Sequence, residues 1–214
     1  MIYLIGGPPK CGKTTFAKAL SQELGIPWIS ADTLQTIGRA YSLKKDDIKK
    51  YPHAAIRKGN RNNDVFYQKN SAKKIVAAYI KQAKATGLAI DMTAICEITD
   101  GNNYIIEGFQ VEPVLAAKLC KKYGQQKFTC LFLTKKDSKC FVQDFKKSTT
   151  PNDWILTNTR KEETLERIAK MIQTYSLYFD IEAKKYGFKC IDLSRDFEGA
   201  LHGFVKELSA KNDQ

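Results

Sequence analysis

The residues with the clearest chemical pattern lie near the N-terminus, where residues 7–14 read G-x-x-x-x-G-K-T. Glycines allow successive backbone N–H groups to point inward at phosphate oxygens. A helix that begins directly after the loop adds partial positive charge. In this motif the position of Lys13 reaches the β- and γ-phosphates of a nucleoside triphosphate, and the hydroxyl of Thr14 binds Mg²⁺. The spacing therefore predicts a nucleotide-binding loop.

The elements on either side of the loop match what the motif requires. Residues 2–5 form a short apolar run that predicts a buried strand, and residues 15–24 carry apolar side chains at helical spacing. This context disfavours the alternative of a glycine turn that binds nothing. Lys13 is expected to face solvent rather than the core. The predicted nucleotide contacts are Gly7, Pro8, Pro9, Lys10, Cys11, Gly12, Lys13, Thr14 and Thr15.

Cys11 is one of six scattered cysteines, and no two of them form C-x-x-C. With only two histidines in the chain, the sequence does not predict a zinc site. A helix N-terminus and two neighbouring lysines would lower the pKa of the Cys11 thiol. The alternative is that this cysteine only fills a variable position of the loop.

Strands and helices alternate along the rest of the chain, which predicts an α/β fold with a parallel sheet and helices on both faces. A helix over 72–85 is expected to break at Gly87 before a second helical segment over 88–99. A capping box at residues 159–162 is expected to open a long helix. The predicted strands are 2–5, 28–30, 104–106, 128–134 and 188–193, and further helices are predicted at 113–124 and 197–208.

The chain resembles the nucleotide and small-molecule kinases of the P-loop superfamily, which include adenylate kinase, gluconate kinase, uridine kinase and 2-phosphoglycerate kinase. The resemblance rests on the phosphate loop, on Ser30-Ala31-Asp32 after the second strand, on residues 105–109 (I-I-E-G-F) after the third, and on a basic segment after the fourth. It implies a five-stranded parallel core in a single domain over 1–214. It also implies a helical substrate-binding insertion at 33–100 and a lid at 136–160.

Asp32 is the first candidate for catalysis and substrate binding, because it follows a strand that should lie close to the loop. In the resembling kinases an acid at this position holds the acceptor hydroxyl and orients or deprotonates it. Phosphoryl transfer gains mainly from positioning and charge neutralisation, so one placed carboxylate matters. The alternative is that Asp32 is the N-cap of a helix that begins at Thr33.

Glu107 is the second acidic candidate, because it ends a buried strand directly before a glycine. A carboxylate there is placed to hold Mg²⁺ through water and to lie near the substrate. Adenylate kinase has Asp-Gly-Phe-Pro-Arg in the equivalent region, whereas this chain has E-G-F-Q and lacks the arginine. That difference argues against a nucleoside monophosphate bound as in adenylate kinase. Asp91 also follows an apolar run, but the helical spacing around it argues against the same role.

Several basic residues are candidates for phosphate contacts. Arg160 is the preferred lid cation, because a guanidinium binds phosphate oxygens bidentately. Four lysines are further candidates for cations of the lid, namely Lys135, Lys139, Lys146 and Lys147. The alternative is that these lysines are only solvated at the surface. Arg57, Lys58 and Arg61 would contact an anionic group of the substrate, and Arg195 would lie over the adenine base, as the resemblance implies.

The overall composition limits the classes of function. The chain has 214 residues, with 43% hydrophobic and 27% charged residues and a net charge of +12. Its N-terminal apolar run is too short for a signal peptide and no lipidation motif is present, so we expect a cytoplasmic protein without a membrane partner. The lysines are dispersed, which favours a solvated surface over a nucleic-acid interface.

The sequence therefore predicts an ATP- and Mg²⁺-dependent phosphotransferase that acts on a hydroxyl of a small metabolite or nucleoside-type acceptor. One alternative is a polynucleotide 5′-hydroxyl kinase, which the positive charge favours but for which the sequence shows no base-stacking groove. Another is a zeta-toxin-like nucleotide-sugar kinase or regulatory NTPase. The sequence does not identify the acceptor, and fold alone does not separate these alternatives.

Overall fold

The computed structural model describes residues 1–42, 47–57, 59–146, 153–194 and 196–212. Within them, five strands form one parallel sheet in the order β2-β3-β1-β4-β5. The strands are β1 (Ile2–Gly6), β2 (Trp28–Ser30), β3 (Tyr104–Glu107), β4 (Phe128–Thr134) and β5 (Lys189–Asp192). The predicted α/β class and the five-stranded parallel sheet are confirmed.

The central strand is β1, which is buried along its whole length. Leu4 lies in register between Ile106 of β3 and Cys130 of β4. A parallel sheet covered on both faces needs apolar residues at consecutive strand positions. This is why the first strand reads as an uninterrupted apolar run in the sequence.

Helices follow the strands and cover the sheet. They are α1 (Lys13–Leu24), α2 (Ala31–Ala40), α3 (Asp47–Lys50), α4 (Pro52–Arg57), α5 (Asn63–Lys69), α6 (Ala72–Thr99), α7 (Pro113–Tyr123), α8 (Ser138–Lys146), α9 (Trp154–Asn158), α10 (Glu162–Lys185) and α11 (Phe197–Asn212). A 3₁₀ turn at Gln125–Lys127 precedes β4. Helix α1 packs against α11, whereas α10 packs against α6 and α7. No helix in the described residues is both long enough and apolar enough to cross a bilayer.

Helix α6 runs without interruption from Ala72 to Thr99, so the predicted break at Gly87 is wrong. A glycine inside a helix costs only about 1 kcal/mol relative to alanine. Ile90 and Ala94 continue the buried face beyond Gly87, and a Cβ atom at Gly87 would lie 3.6 Å from Leu115 of α7. The packing of the whole helix outweighs the local preference of one residue.

The predicted capping box at residues 159–162 is also wrong, because α10 begins at Glu162 and no side chain of its N-cap residue caps it. The Thr159 hydroxyl instead accepts a hydrogen bond from Asn63 at 3.0 Å. The Asp64 carboxylate accepts from the backbone N–H groups of Arg160 and Lys161 at 3.0 and 3.2 Å. A carboxylate from a distant helix therefore supplies the acceptor that the local motif was expected to provide.

The carboxyl ends of three neighbouring strands meet at one edge of the sheet. Glu107 of β3 is in register with Ile5 of β1 on one side and with Ser30 of β2 on the other. The loop at residues 7–12 follows β1, and α2 follows β2 directly. Ligands of open α/β sheets bind at the carboxyl ends of the strands, so this edge is where a site is expected.

Candidate active site

The phosphate-binding loop has the backbone conformation that its glycines permit. Gly7 and Gly12 have φ angles of 140° and 80°, in a region that side chains disfavour. A Cβ atom at Gly7 would lie 2.1 Å from the backbone oxygen of Leu133, which is closer than any real contact. Geometry therefore requires glycine at position 7 and favours it at position 12, and the loop leads directly into the N-terminus of α1.

Lys13 is the first residue of α1, and only 8% of it is exposed. Its ammonium group donates a hydrogen bond to the backbone oxygen of Pro8 at 2.7 Å. The expectation of a solvent-facing Lys13 is therefore wrong. The lysine folds back over its own loop because the concave loop offers a carbonyl oxygen to the ammonium group.

Thr14 and Glu107 lie side by side although 93 positions separate them in the chain. The Thr14 hydroxyl donates to Oε1 of Glu107 at 3.1 Å, and Glu107 is 2% exposed. Hydroxyl and carboxylate oxygens are the ligands that Mg²⁺ takes in proteins. The donor set at the end of β3 and the start of α1 therefore fits a magnesium ion.

Asp32 lies in the first turn of α2, and Ser30 is the N-cap whose hydroxyl oxygen accepts from the backbone N–H of Asp32 at 3.3 Å. The alternative of Asp32 as the N-cap of a helix from Thr33 is therefore wrong. The Asp32 carboxylate instead accepts a 2.7 Å hydrogen bond from the side-chain amide of Gln110. Gln110 is 1% exposed, so its amide holds Asp32 from a buried position.

Two cavities adjoin the loop and share Lys10, Lys13, Thr14 and Trp154. One, of about 520 Å³, lies over the loop and α1 and is bounded by α8; we call it the phosphate cavity. The other, of about 320 Å³, is lined by Asp32 and Glu107 and we call it the acceptor cavity. Asp32, Lys13 and Glu107 therefore line one cavity.

A third cavity of about 740 Å³ extends into the helical insertion and shares His53, Tyr79 and Trp154 with the acceptor cavity. We call it the insertion cavity, and Arg57 and Arg61 line it. The His53 ring stacks on Tyr79 with 3.8 Å between centroids. Burial and, to a lesser extent, the charge of Arg57 lower the pKa of His53 to about 3, so the imidazole is neutral at physiological pH.

Arg57 is held by contacts inside the insertion. Its guanidinium lies 3.9 Å from the ring centroid of Phe66 and donates to the Asn63 side chain at 2.9 Å. Both Arg57 and Arg61 line the insertion cavity, but Arg61 is exposed. Arg57 therefore has a structural role in the insertion beside any contact with a ligand.

The other predicted cations are dispersed. Arg160 is exposed and does not line the three cavities above. Lys135 lines the phosphate cavity and pairs with Asp144 at 2.5 Å. The residues Arg195, Lys58 and Lys147 lie outside the described part of the chain, and so does the side chain of Lys146. Asp91 lies on α6 and pairs with Lys122 at 2.7 Å.

The expectation of a low thiol pKa at Cys11 is wrong. Cys11 is fully buried, and burial raises its pKa to about 11 despite the nearby charge of Lys13. Loss of hydration outweighs the lysine and the helix N-terminus. Cys11 therefore packs in the core beneath the loop, which agrees with the alternative that it only fills a position of the loop.

Sequence reasoning missed three glutamines that surround Asp32, namely Gln35, Gln82 and Gln110. Gln35 and Gln82 line the acceptor cavity, and Gln110 bonds Asp32 directly. Gln110 is the last residue of the E-G-F-Q run, at the position where adenylate kinase has proline. This difference was the only feature of the sequence that could have indicated a role for Gln110. Gln82 lies in the middle of α6, and nothing in its local sequence distinguishes it from a surface residue.

The sheet order and the glycine loop give the chain the α/β fold that P-loop kinases have. The family model described as "ATPase family associated with various cellular activities (AAA)" matches residues 3–92, a segment that contains the loop. Comparison with curated protein sequences finds no significant match. A fold with this loop implies nucleotide binding.

Solved structures share the fold over the whole chain at low sequence identity. An uncharacterized protein from Eubacterium ventriosum is 14% identical, with a TM-score of 0.52 and 98% of each chain covered. Shikimate kinase from Bacteroides thetaiotaomicron is 13% identical, with a TM-score of 0.50, covering 100% of this chain and 98% of its own. The resemblance to the P-loop kinases is therefore confirmed at the level of the fold.

Proposed function

We propose that this protein transfers the γ-phosphoryl group of ATP to a hydroxyl group of a small metabolite or nucleoside-type acceptor. The observation that carries the proposal is that Asp32, Lys13 and the Thr14–Glu107 pair all line one cavity. An ATPase also needs a side chain that orients its attacking water, but it has no need of a cavity beside the loop that could hold an organic acceptor.

The proposed roles follow from charge and position. Backbone N–H groups of the loop and Lys13 bind the phosphates, and the Lys13 ammonium exchanges its bond to Pro8 for phosphate oxygens. Thr14 and Glu107 would hold Mg²⁺, which neutralises phosphate charge when bound. Asp32 accepts the proton of the acceptor hydroxyl and orients its oxygen toward the γ-phosphorus.

Exclusion of water is the second requirement of a kinase, because water would otherwise take the phosphoryl group. Trp154 lines the phosphate, acceptor and insertion cavities, so one residue borders all three spaces. We propose that the lid at 136–160 closes over the phosphates and that the insertion at 33–100 holds the acceptor. Arg160 would reach the phosphates only in a closed form of the lid, since it does not line these cavities here.

The deciding experiment is a screen of hydroxyl compounds with γ-labelled ATP and Mg²⁺, in which transfer of label is measured. Lys13→Ala and Asp32→Asn are expected to abolish or strongly reduce transfer. Lys73→Ala, which removes an exposed lysine of α6, is the matched control and should leave transfer unchanged. Label that appears only as inorganic phosphate, whatever compound is present, would overturn the proposal in favour of an NTPase.

A second candidate, the polynucleotide 5′-hydroxyl kinase, is favoured by one observation that the sequence did not provide. The aromatic side chains of His53, Tyr79 and Trp154 line cavity walls beside Asp32, and aromatic faces bind bases by stacking. An oligonucleotide with a free 5′-hydroxyl belongs in the screen for this reason. Labelling of that oligonucleotide in preference to every small acceptor would make this candidate the function.

A further inference from the structure

The side-chain amides around Asp32 form a chain of hydrogen bonds whose direction is fixed. Gln110 donates through Nε2 to the Asp32 carboxylate at 2.7 Å, and an ionised carboxylate only accepts. The same Nε2 lies 3.3 Å from Oε1 of Gln35. Because the Gln110 nitrogen is a donor, the Gln35 atom that faces it must be the carbonyl oxygen.

The other end of the chain gives the same direction independently. The backbone N–H of Ala54 donates to Oε1 of Gln82 at 3.1 Å, which places the Gln82 nitrogen on the opposite side of that amide. This nitrogen donates to Oε1 of Gln35 at 3.3 Å. Two separate donors therefore converge on the Gln35 oxygen, and an exchange of its oxygen and nitrogen would oppose donor to donor at both contacts.

This arrangement leaves two polar groups for a ligand. Within the described residues, no hydrogen bond occupies the Gln35 amide nitrogen or the second oxygen of Asp32. Asp32 and Gln35 both line the acceptor cavity. They are three positions apart on α2, so their side chains are neighbours on one face of the helix.

We infer that Gln35 is a specificity-determining residue and that the acceptor presents a vicinal diol, as a sugar or polyol does, with one hydroxyl on Asp32 and the next on Gln35. The inference rests on the proposed function. One hydroxyl donates its proton to the free Asp32 oxygen and becomes the nucleophile. The adjacent hydroxyl oxygen accepts from the Gln35 NH₂ group, which fixes the rotation of the acceptor about the bond between its two carbon atoms.

Fixed orientation is what gives Gln35 a role in specificity. Its carbonyl oxygen is held by Gln110 and Gln82, so the NH₂ group is presented to the cavity without further ordering. A site built to bond a hydroxyl rejects the analogue that lacks it, because the polar group of the site is then left unpaired. An acceptor without the second hydroxyl should therefore be a poor substrate.

The test uses matched pairs of acceptors with γ-labelled ATP in which the second member has no vicinal diol: glycerol and propane-1,3-diol, methyl β-D-ribofuranoside and its 2-deoxy analogue, and adenosine and 2′-deoxyadenosine. For the pair that is used best, we expect kcat/KM to be at least about tenfold higher for the diol than for the deoxy compound. In Gln35→Leu and Gln35→Met, which remove the NH₂ donor without adding a charge beside Asp32, this preference should fall to less than about twofold.

The control is Gln68→Leu, which changes an exposed glutamine of α5 and should keep the preference of the native protein. Thermal unfolding of each variant shows whether it is folded. Equal use of both members of a pair by the native protein, or an unchanged preference in a folded Gln35→Met variant, would overturn the inference while leaving the kinase proposal intact. Absence of transfer to every compound by the native protein would instead overturn the proposed function together with the inference.

Discussion

The ammonium group of Lys10 lies 2.7 Å from the carboxylate of Asp153, and this ion pair joins the phosphate-binding loop to the start of α9. Asp153 is almost fully buried, with 3% of its side chain exposed. Its other oxygen accepts from the backbone N–H of Ile155 at 2.9 Å, which caps α9. The loop and the segment that carries Trp154 are thus connected by one buried carboxylate.

Asp153→Asn is expected to lower the free energy of unfolding by about 1–3 kcal/mol, since it leaves the Lys10 ammonium without its buried partner. The amide retains an oxygen that can cap α9. Asp144→Asn is the matched control, because Asp144 pairs with Lys135 but is 52% exposed. A pair of that kind contributes about 0–1 kcal/mol. Urea unfolding measures both variants, and equal small losses would show that the Lys10 contact does not stabilise the fold.

Lys13→Ala is expected to reduce phosphotransfer by about 10²-fold or more, because the phosphates lose their main side-chain cation. Since Lys13 is buried and bonded to Pro8, a modest loss of stability should accompany the loss of activity. Initial rates at saturating ATP, taken well below the melting temperature of the variant, separate the two effects. Activity of the variant near that of the native protein would remove the basis of the proposed kinase function.

Asp32→Asn and Glu107→Gln are expected to affect different steps. Asn retains an oxygen for Gln110 but is a poor proton acceptor, so kcat should fall by about 10²-fold or more with ATP affinity little changed. Glu107→Gln should instead raise the Mg²⁺ concentration needed for half-maximal rate. Rates measured across a magnesium titration distinguish the two. If Asp32→Asn altered only the melting temperature, its carboxylate would have a structural role alone.

Binding to single-stranded oligonucleotides is expected to be weak at about 150 mM salt. Some lysines of the described residues are paired with carboxylates, as in the Lys136–Asp180 and Lys189–Glu207 pairs, and the lysines are dispersed along the chain. A salt titration of binding without ATP provides the measurement. Three results would together favour the polynucleotide 5′-hydroxyl kinase: sub-micromolar affinity at that salt, a slope of several units in log affinity against log salt, and labelling of the 5′ end. An oligonucleotide that already carries a 5′-phosphate is the control for labelling.

Glu112 makes the stability depend on pH in a predictable direction. Burial raises the pKa of its carboxyl to about 7 from an ordinary 4.5, and the hydrogen bond from Tyr178 only partly offsets this. Between these two values the folded chain keeps a proton that the unfolded chain releases, so stability falls as pH rises through this window. Relative to Glu112→Gln, the native protein should lose about 3 kcal/mol between pH 4.5 and pH 8.

Urea unfolding of both proteins across that pH range isolates the contribution of Glu112, because every other titrating group is common to them. A difference between the two free energies of unfolding that does not change with pH would show that the pKa of Glu112 is the same in the folded and the unfolded chain. A difference that grows in favour of the native protein as pH rises would contradict burial as the dominant cause.

The sequence by itself determined the class of fold and the position of the loop. Residues 7–14 are contiguous, and the strand before them and the helix after them are read from local periodicity, so no long-range contact was needed. Glu107 and Asp32 were found in the same way, because each follows a strand directly. Parallel strands bring such positions to one edge of the sheet whatever the details of packing.

Only the tertiary structure decided how these groups are held. The bond between Thr14 and Glu107 spans 93 positions, and that between Asp32 and Gln110 spans 78. Local patterns do not encode such partners, so Gln35 and Gln82 were not distinguished from surface glutamines. The error at Lys13 reflects a contact within its own loop, to the backbone oxygen of Pro8. The errors at Cys11 and Gly87 share one physical cause. Each was an inference from neighbours in sequence, and burial against residues distant in sequence reversed it.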